Sequence, residues 1–169
     1  MKFREGWSSH TAMLIKVLQH SEGPVLELGA GLFSTPLLHW MCKDMDRKLV
    51  SYENEKKYYD LDRDFNRGDH EVKFVENWDD ADIESTHWGM VFIDHSPAIR
   101  RIKEAERVSN NADFVICHDT QPGEDRFYKY HWLWDKFKYI YHYEKGNPRT
   151  SVLSNFKDLS FLNANFGKL

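Results

Sequence analysis

Short apolar segments alternate with longer amphipathic ones along most of this sequence, and several of the apolar segments end at a polar residue. The apolar segments predict five strands, over residues 25–28, 49–52, 72–75, 90–93 and 114–117. The amphipathic segments predict five helices, over residues 9–20, 35–44, 54–67, 97–108 and 124–135, and the second of these begins with Thr35 as its N-cap. Strands separated by helices form parallel sheets, because each helix carries the chain back across the sheet.

The last part of the chain predicts two further strands, over residues 138–143 and 151–153. The connection between them is too short for a crossover helix, so we expect them to pair antiparallel. Short apolar strands are typical of sheets that are covered on both faces. The sequence therefore predicts an α/β fold with three layers, a doubly wound and mostly parallel seven-stranded sheet with an antiparallel last strand. All 169 residues form a single domain in this interpretation.

Composition excludes several classes of protein. The chain has 23 Lys and Arg against 27 Asp and Glu and carries no long run of like charge, so it gives no strong nucleic-acid signal. Its two cysteines, Cys42 and Cys117, form no disulfide framework and favour a cytoplasmic location. The N-terminal residues do not resemble a signal peptide, and no apolar run is long enough to span a membrane.

Polar residues at the strand ends predict a ligand site, because such sheets bind ligands at the carboxyl ends of their strands. Gly29 and Gly31 follow the first strand and allow the backbone to approach a ligand closely. Glu53 ends the second strand, where a carboxylate accepts hydrogen bonds from both ribose hydroxyls. The third glycine of a dinucleotide fingerprint is missing after Gly31, and Glu27 suits a ligand with an ammonium group.

The segment 25–31, with the sequence VLELGAG, resembles motif I of the class I S-adenosylmethionine-dependent methyltransferases. The predicted seven-stranded sheet resembles the fold of that family as well. The resemblance implies that S-adenosylmethionine is the cofactor. It implies cofactor contacts for residues at four strand ends: Glu27, Gly29, Gly31, Glu53, Asn77, Trp78 and Asp94. Trp78 has two interpretations, as a neighbour of the adenine or as a core aromatic.

A second group of polar residues follows the fourth and fifth strands, as Asp94-His95 and His118-Asp119. This pattern is similar to the metal-dependent O-methyltransferases, in which an Asp ends the fourth strand and an acid-containing pair ends the fifth. The resemblance implies a site for Mg²⁺ or Mn²⁺ at Asp94, His118 and Asp119. In the alternative interpretation Asp94 only contacts the cofactor or caps the helix that begins at Pro97, and the other two residues form a polar loop. Pro97 stands where the catechol-type enzymes carry a lysine base.

These observations predict a methyltransferase that acts on the hydroxyl of a small molecule or glycan, with Asp94, His95 and His118 as catalytic residues. One of the two histidines would be the base, because imidazole titrates near neutral pH. The acceptor end is either open or completed by a second copy of the chain in a homo-oligomer. The aromatic residues over 127–143 form the inner face of the last helix and strand, or a substrate wall or subunit contact. The alternatives in function are a nucleotide-binding oxidoreductase and a non-catalytic interaction module of the same fold.

Overall fold

Seven strands form one sheet in the computed structural model, which describes residues 6–163. They are β1 (Val25–Leu28), β2 (Leu49–Glu53), β3 (His70–Phe74), β4 (Trp88–Ile93), β5 (Ala112–Cys117), β6 (Tyr139–Tyr143) and β7 (Thr150–Ser154). Their order across the sheet is β3-β2-β1-β4-β5-β7-β6. The first five strands run parallel, and β7 is antiparallel to both of its neighbours. The predicted fold class is thereby confirmed. Residues 1–5, where a signal peptide would begin, lie outside the described residues.

Helices cover both faces of this sheet. They are α1 (Thr11–Gln19), α2 (Ser34–Asp44), α3 (Lys56–Asp62), α4 (Arg101–Val108) and α5 (Asp125–Tyr128). Successive residues of a strand point to opposite faces, and β4 shows this. Met90 and Phe92 pack into the core formed with α1 and α2, whereas Val91 and Ile93 pack into the core formed with α4. No helix within residues 6–163 has both the length and the apolar character needed to cross a membrane.

The predicted helix over 124–135 is wrong as a continuous element. Helix α5 ends at Tyr128, because Lys129 adopts a left-handed conformation with φ 58°, and short 3₁₀ turns follow over Tyr130–Trp132 and Trp134–Lys136. Side chains two residues apart on a helix point in nearly opposite directions. The break instead lets the rings of Tyr128 and Tyr130 stack, with centroids 5.5 Å apart and planes 7° apart. Both hydroxyls then reach the end of β5, where Tyr128 bonds the carboxylate of Asp119 and Tyr130 the carbonyl of His118.

Thr35 does not cap α2, contrary to the prediction. The helix begins one residue earlier, at Ser34, and its N-cap residue makes no side-chain hydrogen bond. Thr35 is fully buried in the first turn, where its hydroxyl accepts the N–H of Gly31 at 2.8 Å and donates to Glu27 Oε2 at 2.9 Å. The threonine therefore connects the glycine loop to β1 through these two hydrogen bonds and does not cap the helix.

Candidate active site

A cavity of about 580 Å³ opens at the carboxyl ends of β2, β1, β4 and β5. Glu53, Glu55 and Tyr58 line the cavity at the β2 end, and the loop over 29–34 lines its middle. The other end is lined by residues that follow β4 and β5, by the region before α1 and by the loop before β7, namely Asp94, His118, Asp119, Arg101, Tyr128, Trp7, His10 and Pro148. The volume lies in the range of small-molecule sites. The structure thus brings most of the predicted site residues to one cavity.

Glu53 offers a carboxylate oxygen at the β2 end of this cavity. The side chain is buried, and its Oε1 accepts backbone N–H groups from Asn54 at 2.9 Å and Glu55 at 2.6 Å. Burial raises the pKa of Glu53 to about 7, although these two N–H groups favour the charged form. No residue within 6–163 donates a hydrogen bond to Oε2, so this oxygen is free for a ligand.

Asn77 and Trp78 lie away from the cavity wall. Asn77 is exposed and caps a short 3₁₀ helix by accepting the N–H of Asp79 at 3.1 Å. Trp78 is buried in the core, where its indole N–H donates to the carbonyl of Ser96 at 2.7 Å and its ring stacks on His95 with centroids 4.1 Å apart. Of the two interpretations of Trp78, the structure therefore supports the core aromatic.

His95 is also placed differently from the prediction. The residue contributes to the cavity wall, yet its side chain has no exposed surface and lies between Trp78 and Glu104. Its Nε2 is 3.3 Å from Glu104 Oε2. Burial lowers the pKa of His95, although the charge of Glu104 favours the protonated ring. The ring presents no nitrogen to an acceptor in the cavity, so His95 is not placed to act as the base.

Glu27 lies beneath the glycine loop and does not line the cavity. Its Oε2 accepts from Thr35, as described above, and from the hydroxyl of Ser51 at 2.5 Å. The Ser51 hydroxyl lies 2.9 Å from His70 Nε2, and the Nδ1 atoms of His70 and His39 are 3.0 Å apart. This buried chain of hydrogen bonds links β1, β2, β3 and α2. Glu27 thus positions the loop through Thr35, a role that the motif alone does not show.

We expect the buried Glu27 to make stability depend on pH. Burial raises its pKa to about 8, well above the value of about 4.5 for an exposed glutamate. The protonated form is favoured in the folded state, so the stabilisation is complete below about pH 4.5 and is lost as the pH rises through 8. The free energy of unfolding should fall by about 2–4 kcal/mol from pH 5 to pH 9, and Glu27→Gln should remove most of that fall.

Urea denaturation at pH 5, 7 and 9 measures this dependence. The exposed Glu22→Gln variant serves as the control and should keep the wild-type slope. Burial also raises the pKa of Glu53 and Asp62, which accounts for the slope expected to remain in Glu27→Gln. A Glu27→Gln variant with the full wild-type slope would show that Glu27 is ionised at neutral pH.

Arg101 joins the ends of β4 and β5. Its Nη1 lies 2.9 Å from Asp94 Oδ1 and 3.0 Å from Asp119 Oδ2. Its remaining N–H groups donate to the carbonyls of His95 at 2.7 Å and Asp94 at 3.1 Å. Asp119 reaches the guanidinium from a left-handed backbone conformation with φ 59°, a strained geometry that is common at functional sites.

The contacts of His118 favour protons on both of its ring nitrogens. The Ser9 hydroxyl donates to the carbonyl of Pro148 at 2.8 Å, so it accepts from His118 Nε2 at 2.9 Å. His118 Nδ1 lies 3.2 Å from both carboxylate oxygens of Asp94. Burial favours the neutral ring of His118, but the charge of Asp94 has the larger effect, so the pKa of His118 is raised. These contacts favour the cationic form of His118, in which neither nitrogen has a lone pair for a metal or a proton.

The predicted metal ligands do not fit a divalent cation as they stand. The guanidinium of Arg101 bridges the carboxylates of Asp94 and Asp119, and His118 donates to Asp94 instead of offering a lone pair. Two positive side chains already balance the two carboxylates, so a metal would add uncompensated positive charge. A second set of three residues, His10, Asp94 and His118, has atoms within 4.8 Å of one another. It includes Asp94 and His118, which already bond to each other.

Sequence reasoning missed His10, which follows Trp7 on the cavity wall. One signal was available. His10 precedes the buried Met13, Leu14 and Val17 by three, four and seven residues, so it lies on the apolar face of the first helix. A polar residue on a buried face is a candidate for a site.

No protein-family model and no curated protein matches the sequence. Solved structures do match over most of the chain. A protein assigned as a caffeoyl-CoA O-methyltransferase from Staphylococcus aureus aligns with a TM-score of 0.62 at 9% identity, over 89% of this chain and 84% of its own. A protein assigned as an O-methyltransferase from Klebsiella pneumoniae aligns with a TM-score of 0.60 at 11% identity, over 92% and 82%. The N-terminal domain of human METTL16, in complex with SAH, aligns with a TM-score of 0.59 at 12% identity, over 88% and 68%. At these identities the likeness establishes the fold: the chain has the fold of the class I S-adenosylmethionine-dependent methyltransferases.

Proposed function

We propose that the protein transfers the methyl group of S-adenosylmethionine to an acceptor hydroxyl. One observation carries this proposal: Glu53 presents a free carboxylate oxygen at one end of a cavity whose other end holds a cluster of polar and charged side chains. Such a cavity has room for a nucleoside cofactor beside an acceptor. The solved structures with this fold support the proposal, since one of them is a complex with SAH.

The residues at the β2 end and in the middle of the cavity fit the cofactor. Glu53 accepts hydrogen bonds from the ribose hydroxyls through its free oxygen. Gly31 lines the cavity, and a Cβ placed there would lie 3.7 Å from Ser34 Oγ, its nearest neighbour, so little protein covers this position. When bound, S-adenosylmethionine supplies a methyl group on a positively charged sulfur. The walls of the cavity hold that group against the acceptor and exclude water.

The β5 end of the cavity is left for the acceptor. The cations Arg101 and His118 balance the anions Asp94 and Asp119 there, so the end as a whole is close to neutral. A neutral hydroxyl compound, either a small molecule or a glycan, suits this balance better than a strongly charged one. Metal assistance is not part of this proposal, because Arg101 already bridges the two carboxylates.

A cytoplasmic location and a homo-oligomer remain parts of the proposal. Cys42 and Cys117 are buried free thiols, as a reducing compartment favours. Sedimentation of the purified protein shows whether it is a monomer or a homo-oligomer.

Glu53 gives the test of the cofactor site. Glu53→Gln should weaken SAH binding by about 1–3 kcal/mol, because an ionised acceptor of two hydroxyl hydrogen bonds is lost. The pKa of Glu53 is raised to about 7, and the charged form that accepts both hydroxyls exists above that pH. Wild-type affinity for SAH should therefore rise from pH 6 to pH 8, and the affinity of Glu53→Gln should change much less. Titration calorimetry measures both.

Glu76→Gln is the matched control, because Glu76 is an exposed acid that follows β3 outside the cavity. Its affinity for SAH should equal that of the wild type. The same titrations with NADH test the oxidoreductase alternative, and a methyl-transfer assay over catechols, sugars and hydroxylated small molecules tests the non-catalytic alternative. Absence of SAH binding by the wild type would overturn the proposed function.

A further inference from the structure

His10 is a buried polar side chain that the proposed function has not yet used. His10 is 2% exposed and lines the cavity near its β5 end. The ring packs against Phe92 with centroids 4.8 Å apart, and it meets the ring of His118 edge-on at the same centroid distance. These contacts hold the imidazole in one place beside the charged cluster.

Neither ring nitrogen of His10 has a hydrogen-bond partner among residues 6–163. Leaving a buried polar atom without a partner costs about 1–3 kcal/mol, so native proteins rarely do it without a reason. One nitrogen of His10, a carboxylate oxygen of Asp94 and a nitrogen of His118 lie within 4.8 Å of one another. A hydroxyl at this place has one proton to donate, and a nitrogen of His10, which has no partner, can accept it at an ordinary distance of about 2.8 Å.

His10 also offers the cavity a ring nitrogen that the other candidate histidines do not. Burial lowers its pKa to about 4, although the charges of Asp94 and Asp119 favour the protonated ring. Near neutral pH His10 therefore keeps a lone pair. Both nitrogens of His118 already have oxygen partners, in Ser9 and Asp94, and the ring of His95 is enclosed by Trp78 and Glu104.

We propose that the acceptor hydroxyl binds beside Asp94 with its hydrogen bond donated to His10, and that His10 is the general base that takes its proton. This inference rests on the proposed function. The acceptor O–H bond breaks and its proton goes to His10 while an oxygen electron pair forms the new O–CH₃ bond. The S–CH₃ bond breaks at the same time, and its electron pair stays on sulfur as a neutral thioether. Asp94 then stabilises the imidazolium of His10, which returns the proton to solvent.

Nitrogen NMR of the full-length, histidine-labelled protein loaded with SAH tests this inference, with phenol as the hydroxyl probe. His10→Gln assigns the ring signals of His10. We expect a neutral ring whose unprotonated nitrogen shifts to lower frequency as phenol is added and donates a hydrogen bond to it. His10→Gln should bind SAH as the wild type does and bind phenol about tenfold more weakly. His20→Gln, an exposed histidine at the end of α1, should match the wild type in both measurements.

Turnover adds a second readout once the acceptor screen finds a substrate. His10→Gln should lower kcat by a factor of about 10²–10⁴ with KM nearly unchanged, as expected for the loss of a general base. The phenol titration tests the inference about His10 even when no turnover can be measured. Phenol that fails to bind, or that binds without moving the His10 signal, would overturn the inference. So would selective broadening of the His10 and His118 signals by Mn²⁺, which would mark a metal site. Loss of SAH binding in the wild type is a separate result and overturns the proposed function instead.

Discussion

Arg101→Met is expected to lower the free energy of unfolding by about 3–5 kcal/mol, because it removes the cation that bridges two partly buried carboxylates and leaves only His118 beside them. Arg101 holds Asp94 at 2.9 Å and Asp119 at 3.0 Å and is 7% exposed. Burial raises the pKa of Asp94, but the charges of Arg101 and His118 outweigh it and hold that pKa well below the usual range. Without Arg101, the carboxylates of Asp94 and Asp119 would face each other with no guanidinium between them and would repel each other.

Urea denaturation of both proteins at pH 7 measures the loss. Lys103→Met on the same helix is the control, because Lys103 makes an exposed pair with Asp79, and it should change stability by no more than about 0.5 kcal/mol. The net pKa of Asp94 is depressed, so the stability it contributes is present above about pH 4 and is lost only in stronger acid. If Arg101→Met were as stable as Lys103→Met, Arg101 would not be the group that neutralises the two carboxylates.

Gly29→Ala should be about as damaging as the loss of Arg101, lowering the free energy of unfolding by about 4 kcal/mol or preventing folding. Gly29 has a φ of +96°, which side chains rarely adopt. A Cβ there would lie 2.6 Å from the backbone nitrogen of His95 and 2.7 Å from the carbonyl carbon of Asp94. Neither strand can yield, since β1 and β4 pair up to Leu28 and Ile93, immediately before this contact.

Gly31→Ala tests the other glycine of the loop. A Cβ at Gly31 would meet only Ser34 Oγ at 3.7 Å, an ordinary contact, so stability should stay within about 1 kcal/mol of the wild type. Because Gly31 lines the cavity, the added methyl group should reduce the affinity for SAH about tenfold. Thermal denaturation and calorimetry give the two readouts. A stable Gly29→Ala, or a Gly31→Ala with full SAH affinity, would contradict this division of roles.

The two glycines show where the motif is informative and where it is not. Their position after a strand predicted a ligand site, and both residues do lie on the cavity wall. The motif did not show that Gly29 is required by the neighbouring strand, because that contact joins β1 to β4, which are distant in sequence. The position of Glu53 in the site could be predicted, because its place at a strand end follows from the local sequence pattern alone.

The resemblance to the metal-dependent enzymes was less informative. It named Asp94, His118 and Asp119, and the structure does gather them at one end of the cavity. Their chemistry depends on Arg101 and on Ser9, which is 109 residues from His118 in sequence. A side chain's protonation and its free lone pairs are set by such neighbours, and these are not visible in a local motif.

The sequence by itself determined the layered sheet, its antiparallel last strand and the edge at which the site lies, because periodicity and strand-end residues are local properties. Only the tertiary structure decided the rest. It broke the helix predicted before β6 so that Tyr128 and Tyr130 both reach the end of β5. It enclosed His95, engaged both nitrogens of His118 and left those of His10 without a partner among the described residues. Burial and the arrangement of charges set these states, and both arise only when distant segments pack together.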